Sequence, residues 1–548
     1  MFTFENMTYE GTIRVARMWT YYEEMEKNKG DFMKKFNVTG LCIPEKNYMV
    51  NISKKLEQIT DMIQDEEYFT INQARQYGKT TTLYLLHRAL REDYLVLNIS
   101  FESADEYFAS PFIFVQGFSM EILEAMEREH ASEELLAEWS KPFSETFPMK
   151  DLSRRITHLC DRSEKGVLLF IDEVDKSSDN QIFLNFLGML RNKYLAARAG
   201  TDQTFQSVIL ASVYDIKNLK LKIRPEAERK YNSPWNVAAD FKVDMSFSAD
   251  EIATMLHDYE RDHQTGMDIR EISEELYRCT GGYPLLVSRL CKWIDEDGNK
   301  IWTMENLKNA QKELLRKRNV LFDDLIKNVE NHPDLKELIS NILCDGVEQG
   351  YNPLDSVMQL GTLFGIFVEK NGKIAISNRI FEILLYDYMI SMRERESRAS
   401  AGVEALGFIK DGRLDMPLVL TRFQSLMKSE YRTEDETFLE QQGRLLFLCF
   451  LKPIINGTGF YYVEPETRNS TRMDIVVSYG GEEHIIELKI WHGDSYRKNG
   501  LQQLEGYMNS REAECGYLVS FSFSKDKEYT SHWLEQDETR KKIFEVVV

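Results

Sequence analysis

The chain has 548 residues, 43% hydrophobic and 29% charged, a composition that leaves little room for long disordered tracts and, at this length, predicts about three or four separate cores. Its net charge of -21 argues against a broad non-specific grip on nucleic acid, which depends on Lys and Arg displacing counterions, but leaves a local basic channel open. No leader-like start or run of about 18 uncharged apolar residues is found, and Cys42, Cys160, Cys279, Cys291, Cys344, Cys449 and Cys515 are scattered without a C-x-x-C pair, so a cytoplasmic protein without membrane segment, disulfide framework or zinc site is expected.

In chain order, a mixed helical start leads to the strand-like run Tyr68–Asn72, then a polar turn and a helix from Thr80 to Leu86. Further apolar strands are expected at Tyr94–Ile99, Val167–Ile171 and Ser207–Ser212, separated by helical stretches. Continuous apolar strands alternating with helices predict a buried parallel sheet. Residues 250–328 read as helical, interrupted by Thr280-Gly281-Gly282-Tyr283-Pro284, and suit a lid after the core. Helices then lead to the run Ile366–Ile376, whose Asn371-Gly372 centre suits a type I′ hairpin and, with those helices, a winged-helix-like module. Lys370 and Lys373 on that hairpin leave DNA recognition unassigned, because such modules also pack on protein. The charged, then small and polar run Met392–Gly402 marks a linker, with a separate α/β unit after it.

The stretch Gln73-Ala74-Arg75-Gln76-Tyr77-Gly78-Lys79-Thr80 follows G-x-x-x-x-G-K-[ST] except that Gln73 replaces the first glycine. The pattern supplies backbone N–H groups and a helix N-terminus for phosphates, with Thr81 closing the cradle, Lys79 for the β and γ oxygens and Thr80 for Mg²⁺. The strand Val167–Ile171 runs into Asp172-Glu173. Two acids ending a buried strand fit Asp172 as the metal-holding carboxylate and Glu173 as the group that polarises an attacking water. Ser212, closing its strand, is a candidate γ-phosphate sensor. Arg191, Arg198 and Arg224 are open alternatives for a transition-state arginine, each better explained as a solvated surface residue.

Tyr68–Leu83, Leu169–Lys176, Val213–Leu219, Tyr231–Asn236 and Thr280–Leu286 resemble the bacterial AAA-like ATPase proteins, close to the STAND class of P-loop ATPases, over about residues 1–330. The resemblance implies ATP and Mg²⁺ as cofactors, tolerance of Gln73, and self-association through the ATPase core. It also implies that Pro284 lies near the nucleotide at the lid.

Farther on, Thr471–Val477 and Glu483–Ile490 read as a hairpin about Gly480-Gly481. Alternation places Glu487 and Lys489 on one face and Ile486, Leu488 and Ile490 on the other. With Asp474 brought alongside, two carboxylates and one lysine are equipped for Mg²⁺-assisted phosphodiester hydrolysis; the bland alternative is an exposed polar face with a weak ion pair. Asp474, then Glu487-Leu488-Lys489 thirteen residues on, resembles the PD-(D/E)XK nuclease superfamily, with core order αβββαβ. That likeness extends to a helix over Phe438–Leu451 with Glu440 as an extra metal acid, to Gln503 and Tyr507 in a Q-x-x-x-Y helix, and to a strand Gly516–Phe521; Met473 replaces the proline of the name.

The expected fold class is α/β multidomain. An ATPase core at 1–248, a helical lid at 249–328, a winged-helix-like module at 329–392, a linker at 393–404 and a nuclease-like domain at 405–548 are expected. The leading functional expectation is an ATPase controlling a Mg²⁺-dependent nuclease that acts on DNA or RNA, with a role in mobile elements or defence implied only by the resemblance. The alternative is a signalling or scaffold ATPase whose C-terminal fold binds protein and does not cleave.

Overall fold

The computed structural model describes residues 33–102, 104–174, 180–213, 235–343, 349–396, 408–410, 412–430, 440–455, 459–463, 474–491, 494–511, 513–522, 528–534 and 541–548. The expected helical start, the motif stretches 214–219 and 231–234, Arg224, Thr471–Met473 and most of the linker lie outside them. Two compact units are found, one within Met1–Leu314 together with Gly361–Ile366, the other within Leu315–Leu360 together with Phe367–Val548.

The first unit contains α1 (Ser53–Gln64), β1 (Phe69–Asn72), α2 (Lys79–Leu90), β2 (Tyr94–Ser100), α3 (Pro111–Arg128), α4 (Glu133–Trp139), α5 (Pro148–Arg162), β3 (Gly166–Asp172), α6 (Gln181–Arg198) and β4 (Ser207–Ser212). The four strands form one parallel sheet in the order β1-β4-β3-β2. Its strands are apolar without alternation because helices cover both faces; Leu97, Leu169, Phe170 and Ile209 are fully buried. This order brings the C-terminal ends of β1 and β3 to either side of β4, which places the loop after Asn72 near Asp172. Trp235 of the resemblance is a core residue, its Nε1 donating to Thr70 Oγ1 at 3.0 Å. The helices α7 (Ala249–His263), α8 (Ile269–Thr280), α9 (Pro284–Glu296) and α10 (Met304–Arg316) follow. Ser248 and Glu251 form a reciprocal capping box at the start of α7.

The second unit contains α11 (Val320–Asn331) and α12 (Pro333–Leu343). After α13 (Ser356–Leu363) come β5 (Phe367–Lys370), β6 (Lys373–Ile376) and α14 (Arg379–Glu396). The hairpin turns on Asn371 and Gly372 at φ 53° and 75°, the positive values a type I′ turn requires. Then come the short pair β7 (Ile409–Lys410) and β8 (Arg413–Leu414), α15 (Met416–Glu430), α16 (Glu440–Ile455), β9 (Phe460–Val463), β10 (Ile475–Tyr479), β11 (Glu482–Ile490), α17 (Asp494–Ser510), β12 (Cys515–Phe521), β13 (Ser531–Leu534) and β14 (Lys542–Val547). Lys452 on α16 donates to Asp387 O at 3.2 Å and Ser391 Oγ at 3.1 Å on α14, and Tyr461 donates to the Asp387 carboxylate. These bonds tie α14 to α16 and β9 within the second unit.

The last sheet is mixed, ordered β13-β14-β12-β11-β10-β9. β10 is antiparallel to β9 and β11, whereas β11, β12 and β14 run parallel. The turn between β10 and β11 is Gly480-Gly481, at φ 59° and 86°. His484 on β11 is buried, its Nδ1 3.3 Å from the Tyr517 hydroxyl, and burial holds its imidazole below the ordinary 6.5. A neutral imidazole is therefore favoured by folding: its contribution is full above pH 6.5 and is lost as pH falls through the lower folded value. Thermal melting between pH 7.5 and 5 is expected to drop more steeply for the parent than for His484→Leu; equal slopes would remove His484 from the acid sensitivity.

Candidate functional site

The loop from Gln73 to Thr81 leaves β1 and enters α2. Gln73 N donates to Ser212 O at 3.1 Å, so β4 fixes the base of the loop, and fully buried Ser212 pairs in register with Asn72. Gln76 and Gly78 have φ of 58° and 79°, and Gly78 caps α2. The positive φ at Gly78 is where a side chain is disfavoured and the backbone must curl toward a helix N-terminus. Lys79 is buried, and its Nζ donates to Gln73 O at 2.8 Å and Ala74 O at 3.1 Å. The ammonium is thus folded over the loop's own carbonyls, at the loop's centre.

Thr80 Oγ1 donates to Asp172 Oδ2 at 2.6 Å, and Glu173 N donates to Asp172 Oδ1 at 2.9 Å. Asp172 is only 6% exposed. Glu173 has φ 55°, a left-handed conformation that costs a non-glycine residue on the order of 1 kcal/mol and is concentrated at functional sites. A hydroxyl and a carboxylate in contact are hard oxygen donors of the kind Mg²⁺ takes, and Mg²⁺ needs only one or two protein ligands because it keeps waters. Among the described residues no group of three or more His, Cys, Asp or Glu is placed to hold a metal.

Beside the loop lies a cavity of about 150 Å³ lined by Val38, Gly40, Tyr77, Gly78, Thr81 and Pro284, among others. Pro284, the first residue of α9, therefore faces the same space as the loop. Segment 37–52, which contributes much of the wall, was not singled out by sequence reasoning. It contributes mainly apolar side chains, Tyr48, Met49 and Ile52 among them, with no chemical motif, and Asn51 N ties it to α7 by donating to Thr254 Oγ1 at 2.9 Å.

The turn Thr280–Pro284 grips the loop directly. Tyr283 donates its hydroxyl to Arg75 O, and its ring meets Tyr77 edge-on at 4.6 Å. Burial pushes the Tyr77 hydroxyl well above its usual range. Gly282, at φ 73°, would place a Cβ 2.0 Å from Phe247 O. Gly282→Ala is expected to cost more than about 2 kcal/mol, and a melting curve within experimental error of the parent's would contradict that.

Of the arginines, Arg198 donates to Asp65 O at 2.8 Å, before β1 begins. That is the opposite end of the sheet from Gln73–Thr81, so Arg198 does not reach this chain's own loop. Arg191 is half-buried on α6.

In the second unit, Asp474 immediately precedes β10, and the pairing Ile475 with Ile486 sets it across from Glu487. Asp474 Oδ2 accepts from Leu488 N at 2.7 Å; Lys489 Nζ lies 2.9 Å from Glu487 Oε1 and 4.0 Å from Asp474 Oδ2. Glu487 is 2% exposed. The expected alternation holds, but the polar face is covered by α17, so an exposed Glu–Lys pair is excluded. Burying a carboxylate costs several kcal/mol unless a partner offsets it, and Lys489 is that partner. Tyr507 is buried on α17, and burial followed by the charges of Glu487 and Asp474 pushes its hydroxyl up to about 12. Gln503 is exposed, and Glu440 opens α16 with its side chain outside the described residues.

No protein-family model matches the chain, and no curated protein matches it. Among solved structures, a Walker-type ATPase of Pyrococcus abyssi aligns with 64% of this chain and 99% of its own, at 12% identity and TM-score 0.44. The ORC2 protein of Aeropyrum pernix, in ADPNP–ADP complexes, aligns over 67% and 99% at 12% identity and TM-score 0.35. The ORC1 protein of the same organism, in complex with DNA, aligns over 63% and 94% at 10% identity and TM-score 0.28. Among the described residues no helix is long and apolar enough to cross a membrane.

Proposed function

We propose that the first unit binds and hydrolyses ATP, and that its nucleotide state controls a Mg²⁺-dependent nuclease centre at Asp474, Glu487 and Lys489. The observation that carries the first half is the Thr80–Asp172 contact at 2.6 Å beside a lysine folded over its own loop. Backbone N–H groups of Ala74–Thr81 and Lys79 bind phosphate oxygens, the apolar cavity beside Tyr77 and Pro284 takes the base, and Glu173 orients and polarises the attacking water. Thr80 and Asp172 would hold one magnesium, and Asp474 and Glu487 another, with Glu440 a further candidate acid. When bound, magnesium supplies positive charge that offsets the charge building on phosphate oxygens. In the second centre Lys489 holds a proton and a positive charge beside the reacting phosphate.

The Asp474/Glu487/Lys489 cluster, built on a buried Glu487, supports the nuclease half, as does the run α16, β9, β10, β11, α17, β12, which has the order αβββαβ. The substrate class is nucleic acid, DNA or RNA. The boundaries 1–248, 249–328, 329–392, 393–404 and 405–548 remain our reading of the functional domains, with α12, α13, β5, β6 and most of α14 in the winged-helix-like module. One observation favours the alternative, a scaffold ATPase that binds protein through a non-cleaving C-terminal fold: Lys489 is already paired with Glu487 at 2.9 Å. Purified protein incubated with Mg²⁺ on single- and double-stranded DNA and RNA separates the two, because the nuclease cuts at least one substrate and the scaffold cuts none.

A further inference from the structure

The row of side chains that contains Glu487 continues across the sheet. Glu487 pairs in register with Leu518, and Leu518 with Glu545, so in these parallel strands all three leave the same face. Two strand spacings, about 10 Å, separate the acids. Glu545 is 2% exposed, and Arg497 of α17 grips both its oxygens, Nε to Oε1 at 2.7 Å and Nη2 to Oε2 at 2.6 Å. A bidentate arginine fixes orientation as well as charge.

Arg497 stands three residues before Gly500, close to one helical turn, so both lie on the face of α17 that meets the sheet. A Cβ on Gly500 would stand 3.1 Å from Lys489 Cγ and 3.3 Å from Leu518 Cδ1. The helix backbone therefore rests on the stem of Lys489. Leu504 and Tyr507 continue that face, packing with Val476, Ile485 and Leu518.

We infer that Arg497 and Glu545 form a positioning clamp, resting on the reading of Asp474, Glu487 and Lys489 as a cleavage centre. The clamp ties the first half of α17 to β14, and the Gly500 backbone, held by it, confines the Lys489 ammonium beside the two carboxylates. Neither Arg497 nor Glu545 touches the reacting atoms.

The test compares the full-length parent with Arg497→Met and Arg497→Lys. Its readouts are Mg²⁺-dependent cleavage and the ¹³C-methyl resonance of reductively methylated Lys489, assigned with Lys489→Arg. Arg497→Met is expected to move that resonance toward those of exposed lysines and lower kcat about 10- to 100-fold with little change in KM. Arg497→Lys is expected to restore part of both. A folded Arg497→Met protein with an unmoved resonance and parental kcat overturns the clamp. If Arg497→Met does not fold, Glu545→Gln, which keeps the shape and removes the charge, is read by the same resonance, and an unmoved signal there overturns it equally. If the parent cuts nothing, the cleavage reading fails, while the resonance still decides whether the clamp holds Lys489.

Discussion

Glu173→Gln is expected to lower ATP turnover about 10²- to 10⁴-fold, the range a positioned general base supplies, while leaving ATP affinity within about twofold. The argument is geometric. Asp172 is committed to Thr80 through one oxygen and to the Glu173 backbone through the other. Glu173 follows in a left-handed conformation at φ 55°, so its side chain leaves the strand end on a different course from that of a continuing strand. Lys79→Ala is expected to behave differently. It removes the one ammonium at the centre of the loop, so nucleotide affinity falls with turnover, by at least about tenfold. Calorimetric binding combined with phosphate release distinguishes the two variants. Equal loss of binding in both would contradict a base role for Glu173.

Asp474→Ala is expected to abolish Mg²⁺-dependent cleavage, and Lys489→Ala to lower it at least about 100-fold. Glu487 is 2% exposed, with Lys489 Nζ 2.9 Å away. Removing the lysine therefore leaves a buried carboxylate short of its counter-charge, at about 3 to 5 kcal/mol of stability. Lys489→Ala must accordingly be assayed below its own, lower melting temperature. Asp474→Asn is the cleaner variant: it keeps an oxygen for Leu488 N while removing the charge. Cleavage by Asp474→Asn and Lys489→Ala at the parental rate on every substrate would sink the nuclease assignment.

Periodicity made the two sheets legible to differing degrees. The parallel strands were readable because both faces are buried, which writes Val, Leu and Ile in uninterrupted runs; Gly166–Asp172 falls within a residue of the expected span at each end. Gly480-Gly481 and Asn371-Gly372 were readable because positive φ at two successive residues has few chemical solutions. What alternation did not reveal was the cover on the polar face of β11. A helix packed over Glu487 is a long-range fact, and its local sign, Gly500, is one glycine in a helical run with nothing to mark its neighbour as Lys489. The wall formed by segment 37–52 was hidden for the same reason, since apolar side chains such as Met49 and Ile52 carry no local sign of the loop they pack beside. Arg198 is the converse: its type suits a transition-state role, and only its bond to Asp65 O shows that it is held at the far end of the sheet.

The most direct measurement is cleavage of a nucleic-acid panel with Mg²⁺, with and without ATP, by the full-length parent and by Lys79→Ala. Control of the Asp474/Glu487/Lys489 centre by the Gln73–Thr81 loop predicts that ATP changes the parent's cleavage rate and leaves that of Lys79→Ala unchanged. A parent that cuts at one rate regardless of ATP, or an equal ATP response in Lys79→Ala, would contradict it.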